Sequence, residues 1–87
     1  LDMVRLDCVK LYPNFDALPE EAKQIIANMM FNLGVPRLSK FKLMKAAVDA
    51  GDWEEAANQM ESSRWHGQVP NRAKRLCDRM RLLAVPV

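Results

Sequence analysis

PEEAKQIIANMMFNLG, Pro19 to Gly34, decides the fold. Ala22, Ile25, Ile26, Met29, Met30 and Leu33 recur at the three- and four-residue spacing that puts side chains on one face of an α-helix. Pro19 suits the first turn, where an amide donor has no acceptor to meet, and Glu20 and Glu21 complement the positive end of the helix dipole. Gly34 supplies the backbone freedom that closes a helix. The apolar stripe is long and broad, so this segment reads as the central, most buried helix of an all-α bundle.

The chain on either side is also helical in pattern. Leu1 to Leu11 carries Met3, Leu6, Val9 and Lys10 without a breaker, and Tyr12-Pro13-Asn14 ends it, because proline disfavours helical geometry in the residue before it. On the far side, Val35-Pro36-Arg37 reads as a connector. Ser39 is expected to cap a third helix carrying Phe41, Met44, Ala47 and Val48, which Gly51 ends. Asp52 and Glu55 form a D-x-x-E start, close to a capping box, for a helix with Trp53, Ala56, Ala57 and Met60. Ser62 to His66 adds a further helical turn. Pro70 opens the last helix, with Ala73, Leu76, Cys77 and Met80 on one face. The tail LLAVPV, residues 82–87, has no usable periodicity, and no strand pattern, repeat or low-complexity run occurs. The expectation is a compact bundle of about five to six short helices around the central one, in a single domain spanning residues 1–87. Met29, Met30, Met44 and Met60 read as core filling, a role that the flexible thioether side chain suits.

A chain of 87 residues supports only a modest core, and 49% apolar with 28% charged residues is ordinary for a globular domain. The net charge of +2 is unevenly spread. Arg64, Arg72, Lys74, Arg75, Arg79 and Arg81 face only Asp78 over residues 64–81, which leaves the remainder acidic and points to an anionic partner or a complementary acidic surface. Arg72, Arg75 and Arg79 share a helix face. A phosphate-contacting helix shows that pattern, and so does an ordinary solvated one. Gly67-Gln68-Val69 does not provide the tight turn of a helix-turn-helix. Cys8 and Cys77 make no CxxC motif; a disulfide joining the chain ends and two buried thiols both remain open. No apolar run has the length of a membrane span, and no signal-peptide pattern is present. The first residue is Leu1, as in a piece of a longer chain. His66 has no companion ligands, so neither a metal nor another cofactor is expected. Ser62 and Ser63 near His66 read as caps, and Asp52, Glu54 and Glu55 as the acidic start of a helix, not as an acid–base pair.

Several residues fall into one order: Tyr12-Pro13, Phe15-Asp16-x-Leu18, Ile26-x-Asn28-Met29-x-Phe31-x-x-Gly34, Phe41, Trp53-x-Glu55-Ala56-Ala57, Ser63-Arg64-Trp65 and Gln68-x-Pro70-Asn71-Arg72-Ala73-Lys74-Arg75. This order and spacing resemble the C-terminal lobe of the T-even phage-type lysozymes, without a gap from Tyr12 to Arg75. The resemblance implies that residues 12–81 form that lobe, that residues 1–11 are the end of the interlobe helix, and that residues 82–87 are a tail. It implies a muramidase that cleaves the bond between N-acetylmuramic acid and N-acetylglucosamine in peptidoglycan, at the bacterial cell wall. The family's catalytic residues, ordered Glu-x8-Asp-x5-Thr, stand in the N-terminal lobe. This chain has no threonine, and none of its glutamates has an aspartate nine residues later. No catalytic residue is therefore expected here.

Position by position, the resemblance makes Phe31 a sugar-contacting wall of the cleft. Asn32 stands where the family has a cleft-facing glutamine. Met44 and Gln59 replace a serine and an asparagine that contact substrate. Arg72 matches the arginine paired with the catalytic glutamate across the cleft, and Arg64 matches another arginine near it. Trp53 and Trp65 are structural, and Asn28 is a buried polar residue near Trp65. The implied partners are peptidoglycan or chitooligosaccharide, bound weakly, and the missing N-terminal lobe, whose loss favours self-association through exposed apolar surface. No membrane partner is expected. Two alternatives stand beside this reading: a non-catalytic lobe reused to bind peptidoglycan or a protein, and a basic helical nucleic-acid-binding module.

Overall fold

The computed structural model describes residues 2–85; Leu1, Pro86 and Val87, with the parts of the first helix and the tail that fall on them, lie outside the described residues. The described residues are all-α: six α-helices and one short 3-10 turn, with no strand among them. The helices are α1 (Asp2–Leu11), α2 (Glu20–Leu38), α3 (Lys42–Asp49), α4 (Trp53–Glu61), α5 (Arg64–Gln68) and α6 (Pro70–Leu82), and the 3-10 turn is Phe15–Ala17. They fall into two compact units, residues 1–41 and residues 42–87.

In the first unit α1 packs on α2. α2 buries Ala22, Ile25, Ile26, Met29 and Met30, the stripe read from the sequence, with Leu33 half-buried at its end. Asn28 and Phe31 lie on the opposite side of the helix and are exposed. The Arg5 guanidinium donates to both Asp16 oxygens, at 3.3 and 2.7 Å, and ties α1 to the 3-10 turn. Met3 and Leu6 remain exposed on α1.

Gly34 interrupts α2 with φ 74° and ψ 168°, a backbone conformation that only glycine adopts without strain. The expected stop is thus present, but residues 35–38 are not an open connector. They form a fresh helical turn, because Pro36 sits where no amide donor is required. That turn recruits Ser39 at its end: the Ser39 hydroxyl donates to Pro36 O at 2.9 Å and its amide to Val35 O at 2.9 Å. Ser39 therefore finishes α2 instead of capping the third helix, and Phe41 precedes α3.

In the second unit α4 packs against both α3 and α6, and α5 packs on α6. Gly51, with φ 73°, turns the chain from α3 into α4. Its amide donates to Val48 O at 3.0 Å and the Asp52 amide to Ala47 O at 2.8 Å, the paired bonds of a Schellman cap. Asp52 then caps α4, its side chain accepting from the Glu55 amide at 3.2 Å. Only half of the expected box forms, because the Glu55 carboxylate turns forward along the helix. Ser63 caps α5 by accepting from the His66 amide at 3.3 Å. α4 buries Ala56, Ala57 and Met60, and α6 buries Ala73, Leu76, Cys77 and Met80. Small residues on both helices allow a close approach. Met29, Met30, Met44 and Met60 are all buried, as core filling requires.

Candidate functional site

The first unit presents Phe31 and Asn32 in the last turn of α2 before Gly34. Phe31 is 73% exposed, one of several large apolar residues at the surface. Asn32 is half-buried, and its side-chain amide donates to Asn28 O at 2.8 Å. Asn28 itself is exposed and donates to Gln24 O at 2.9 Å. The expectation of a buried Asn28 is corrected: residue 28 falls on the face of α2 opposite the Ile25–Met29 stripe, and the side chain satisfies itself on the preceding turn.

In the second unit Met44 is 0% exposed, so its expected contact with a saccharide is corrected too. At this register of α3 the side chain joins Ala47 and Val48 among the buried residues. Trp65 is buried, and its indole Nε1 finds no acceptor among the described residues. Trp53 is half-buried.

Gln59, half-buried on α4, donates from Nε2 to Glu55 Oε2 at 2.7 Å. Asn58 donates to the other Glu55 oxygen at 3.4 Å. Arg81, reaching over from α6, donates to Glu54 at 2.9 Å, to Asn58 Oδ1 at 2.8 Å and to Glu61 at 2.9 Å. The hydrogen bonds to Glu54 and then to Glu61 raise the Arg81 pKa above its ordinary value. The sequence showed Arg81 only as one more cation in a basic run. Its partners stand twenty or more positions away, and no local spacing announces them. The Glu55–Gln59 bond, by contrast, joins residues four apart on a helix, a legible signal.

The basic run is thus divided. Lys74 pairs with Asp78 at 2.9 Å, a bond that raises its pKa, and Arg81 is held by acids. Arg72 and Arg75 remain exposed and line an open groove with Val69, Pro70 and Asn71 at the start of α6. That helix end has no acidic residue in its first turn, a proline at the first position, and no side-chain cap from Val69. Arg72 stands in the first turn, where a cation is disfavoured by the helix dipole by roughly 0.3–1 kcal/mol. Arg64 is exposed at the start of α5.

Cys8 and Cys77 are free and buried, and desolvation pushes each thiol up to about 11. No group of three His, Cys, Asp or Glu side chains converges as metal ligands would, and no helix is long and apolar enough to cross a membrane, among the described residues.

No protein-family model matches the chain, and no solved structure is a significant match. Curated proteins do match. The chain is 36% identical over 66 residues to the probable T4-type lysozyme 1 of Dictyostelium discoideum, covering 76% of this chain and 37% of that protein. It is 35% identical over 66 residues to the probable T4-type lysozyme 2 of the same organism, with the same coverage. It is 36% identical over 67 residues to the pre-baseplate central spike protein Gp5 of Enterobacteria phage T4, covering 77% of this chain and 12% of that protein. The matched segment is therefore little more than a third of either Dictyostelium relative.

Proposed function

Because the chain is a T4 lysozyme-like domain, we propose that it is the C-terminal, substrate-cleft lobe of a muramidase acting on the bond between N-acetylmuramic acid and N-acetylglucosamine in peptidoglycan. On this reading residues 12–81 are the lobe and residues 1–11 the end of the interlobe helix. Within the first unit Phe31 and Asn32 are the saccharide-facing residues of this reading; within the second unit, taken by itself, Gln59 and Arg72 are. Arg64 and Arg72 supply positive potential at the boundary with the catalytic lobe.

The observation that supports this most directly is the start of α6. Arg72 and Arg75 are exposed beside a helix end that already carries positive potential and has no acidic residue in its first turn. A carboxylate from a catalytic lobe would meet favourable potential there. Glycoside hydrolysis needs a proton donor and a second carboxylate or a positioned water on either side of the bond. The Glu-x8-Asp-x5-Thr constellation is absent from this sequence, so the chain contributes cleft wall and electrostatics, and the chemistry comes from elsewhere.

Clearing of chloroform-treated Gram-negative cells tests the reading. The purified chain alone is expected to clear no faster than a heat-inactivated sample. Mixed with a separate N-terminal lobe that carries the catalytic constellation, it is expected to restore clearing, and Arg72→Glu is expected to reduce the restored rate. Lysis by the chain alone would overturn the assignment.

A further inference from the structure

We propose that Glu55 is a positioning residue that sets Gln59 to present a carbonyl acceptor, not an amide donor, to an N-acetylated sugar. The proposal rests on the reading of Gln59 as a substrate-facing residue. The direction of the hydrogen-bond chain on α4 is fixed by chemistry alone. Arg81 can only donate, so the side-chain oxygen of Asn58, 2.8 Å from Arg81 Nη2, must be the end that faces it. The Asn58 amide nitrogen then points to Glu55 Oε1, at 3.4 Å. A carboxylate can only accept, so the group that Gln59 brings to within 2.7 Å of Glu55 Oε2 must be its Nε2. The order of donors and acceptors runs from α6 across α4 without ambiguity, and it leaves one group over. That group is Gln59 Oε1, which finds no partner among the described residues.

The anchor is firm at both ends. The Glu55 amide is held by the Asp52 cap, and Arg81 is held in addition by Glu54 and Glu61. Gln59 itself is half-buried, which limits its rotamers. A glutamine free in solution offers donor and acceptor alike. This one is prepared as an acceptor, and the complementary donor on an N-acetylhexosamine is the acetamido N–H. Preorganisation of one side chain is worth roughly three- to tenfold in affinity.

Two measurements on the 15N-labelled chain decide the matter. The first needs no sugar: one of the Gln59 side-chain amide protons is expected to be shifted and slowed in exchange by its bond to Glu55. Both effects should vanish in Glu55→Met, which keeps the length of the side chain but has no acceptor oxygen. An unchanged Gln59 amide signal in that variant would overturn the positioning. The second is titration with fully N-acetylated chitotetraose. Gln59→Met is expected to weaken binding, Glu55→Ala to weaken it about three- to tenfold, and Glu55→Ala to add nothing in the Gln59→Met background. A full Glu55→Ala effect in the absence of Gln59 would sink the proposal while leaving the cleft reading intact. Failure of the unaltered chain to bind chitotetraose would remove the saccharide reading, and the amide measurement would still judge the role of Glu55. A thermal melt of each variant separates these effects from loss of folding.

Discussion

Replacing Arg81 by methionine removes the guanidinium and keeps most of the apolar stem. Three hydrogen bonds from α6 to α4 are lost, to Glu54, Asn58 and Glu61. The acids are more than half exposed, at 56% and 55%, so each ion pair contributes only about 0.2–1 kcal/mol. The bond from the guanidinium to the uncharged, exposed Asn58 side chain adds about 0.5–1.5 kcal/mol. The freed acceptors return to water, so no buried-polar penalty is added. The expected loss for Arg81→Met is about 1–3.5 kcal/mol. With a urea dependence of about 1 kcal/mol/M for a chain this small, the unfolding midpoint should fall by about 1–3.5 M. Both tryptophans, Trp53 and Trp65, lie in the second unit, so their fluorescence reports the unit that contains the clamp. The difference from the unaltered chain should shrink by about half or more in 1 M salt, where the screening length is about 3 Å. In the Arg81→Met background, Glu61→Gln should cost less than it does alone, since its partner is gone. A midpoint shift below about 0.3 M, or one indifferent to salt, would refute the view that this network joins α4 to α6.

Other expectations follow from single observations. Gly34→Ala should destabilise the chain by about 1–3 kcal/mol in urea unfolding, because the Gly34 φ of 74° and ψ of 168° strain any side-chain-bearing residue. The nearest atom to an added Cβ would be Pro36 Cδ at 3.7 Å, an ordinary contact, so the loss is one of backbone strain and not of collision. Asp52→Ala should cost about 0.5–2 kcal/mol by removing the cap of α4, and Asp52→Asn should recover most of it. The thiols predict a pH response. In the unfolded chain Cys8 and Cys77 ionise near 9.0, and in the folded chain near about 11, so stability is fully present below pH 9.0 and is lost as pH rises towards about 11. The loss should be on the order of 1–2 kcal/mol per thiol, discounted for solvent screening, and denaturation of a Cys8→Ala/Cys77→Ala variant should lack that component between pH 9 and 10.5.

Much of the fold was legible in local pattern. The stripe from Ala22 to Met30, the punctuation by Pro19, Gly34, Gly51 and Pro70, and the caps at Asp52 and Ser63 all depend on residues within one or two turns of each other. Such features are set by helix periodicity, dipole and backbone sterics, which a sequence displays directly. Ser39 was misplaced because a serine beside a helix boundary can serve either neighbour, and the turn formed around Pro36 competed for it. Asn28 and Met44 were misplaced for a different reason. Their expected roles came from matching positions to a family, and register on this helix, not the match, determines which side chain meets solvent.

The sequence by itself determined that this chain is helical, where several of its helices begin or end, and that it carries a lysozyme-like order of residues without that family's catalytic set. Only the tertiary structure decided how the basic run is used. Arg81 is held by acids of α4, while Arg72 and Arg75 are exposed near the start of α6. Charge is a property of a residue and can be counted along a chain. Whether it meets an opposite charge depends on which helix packs beside it, and the partners of Arg81 are up to 27 residues away.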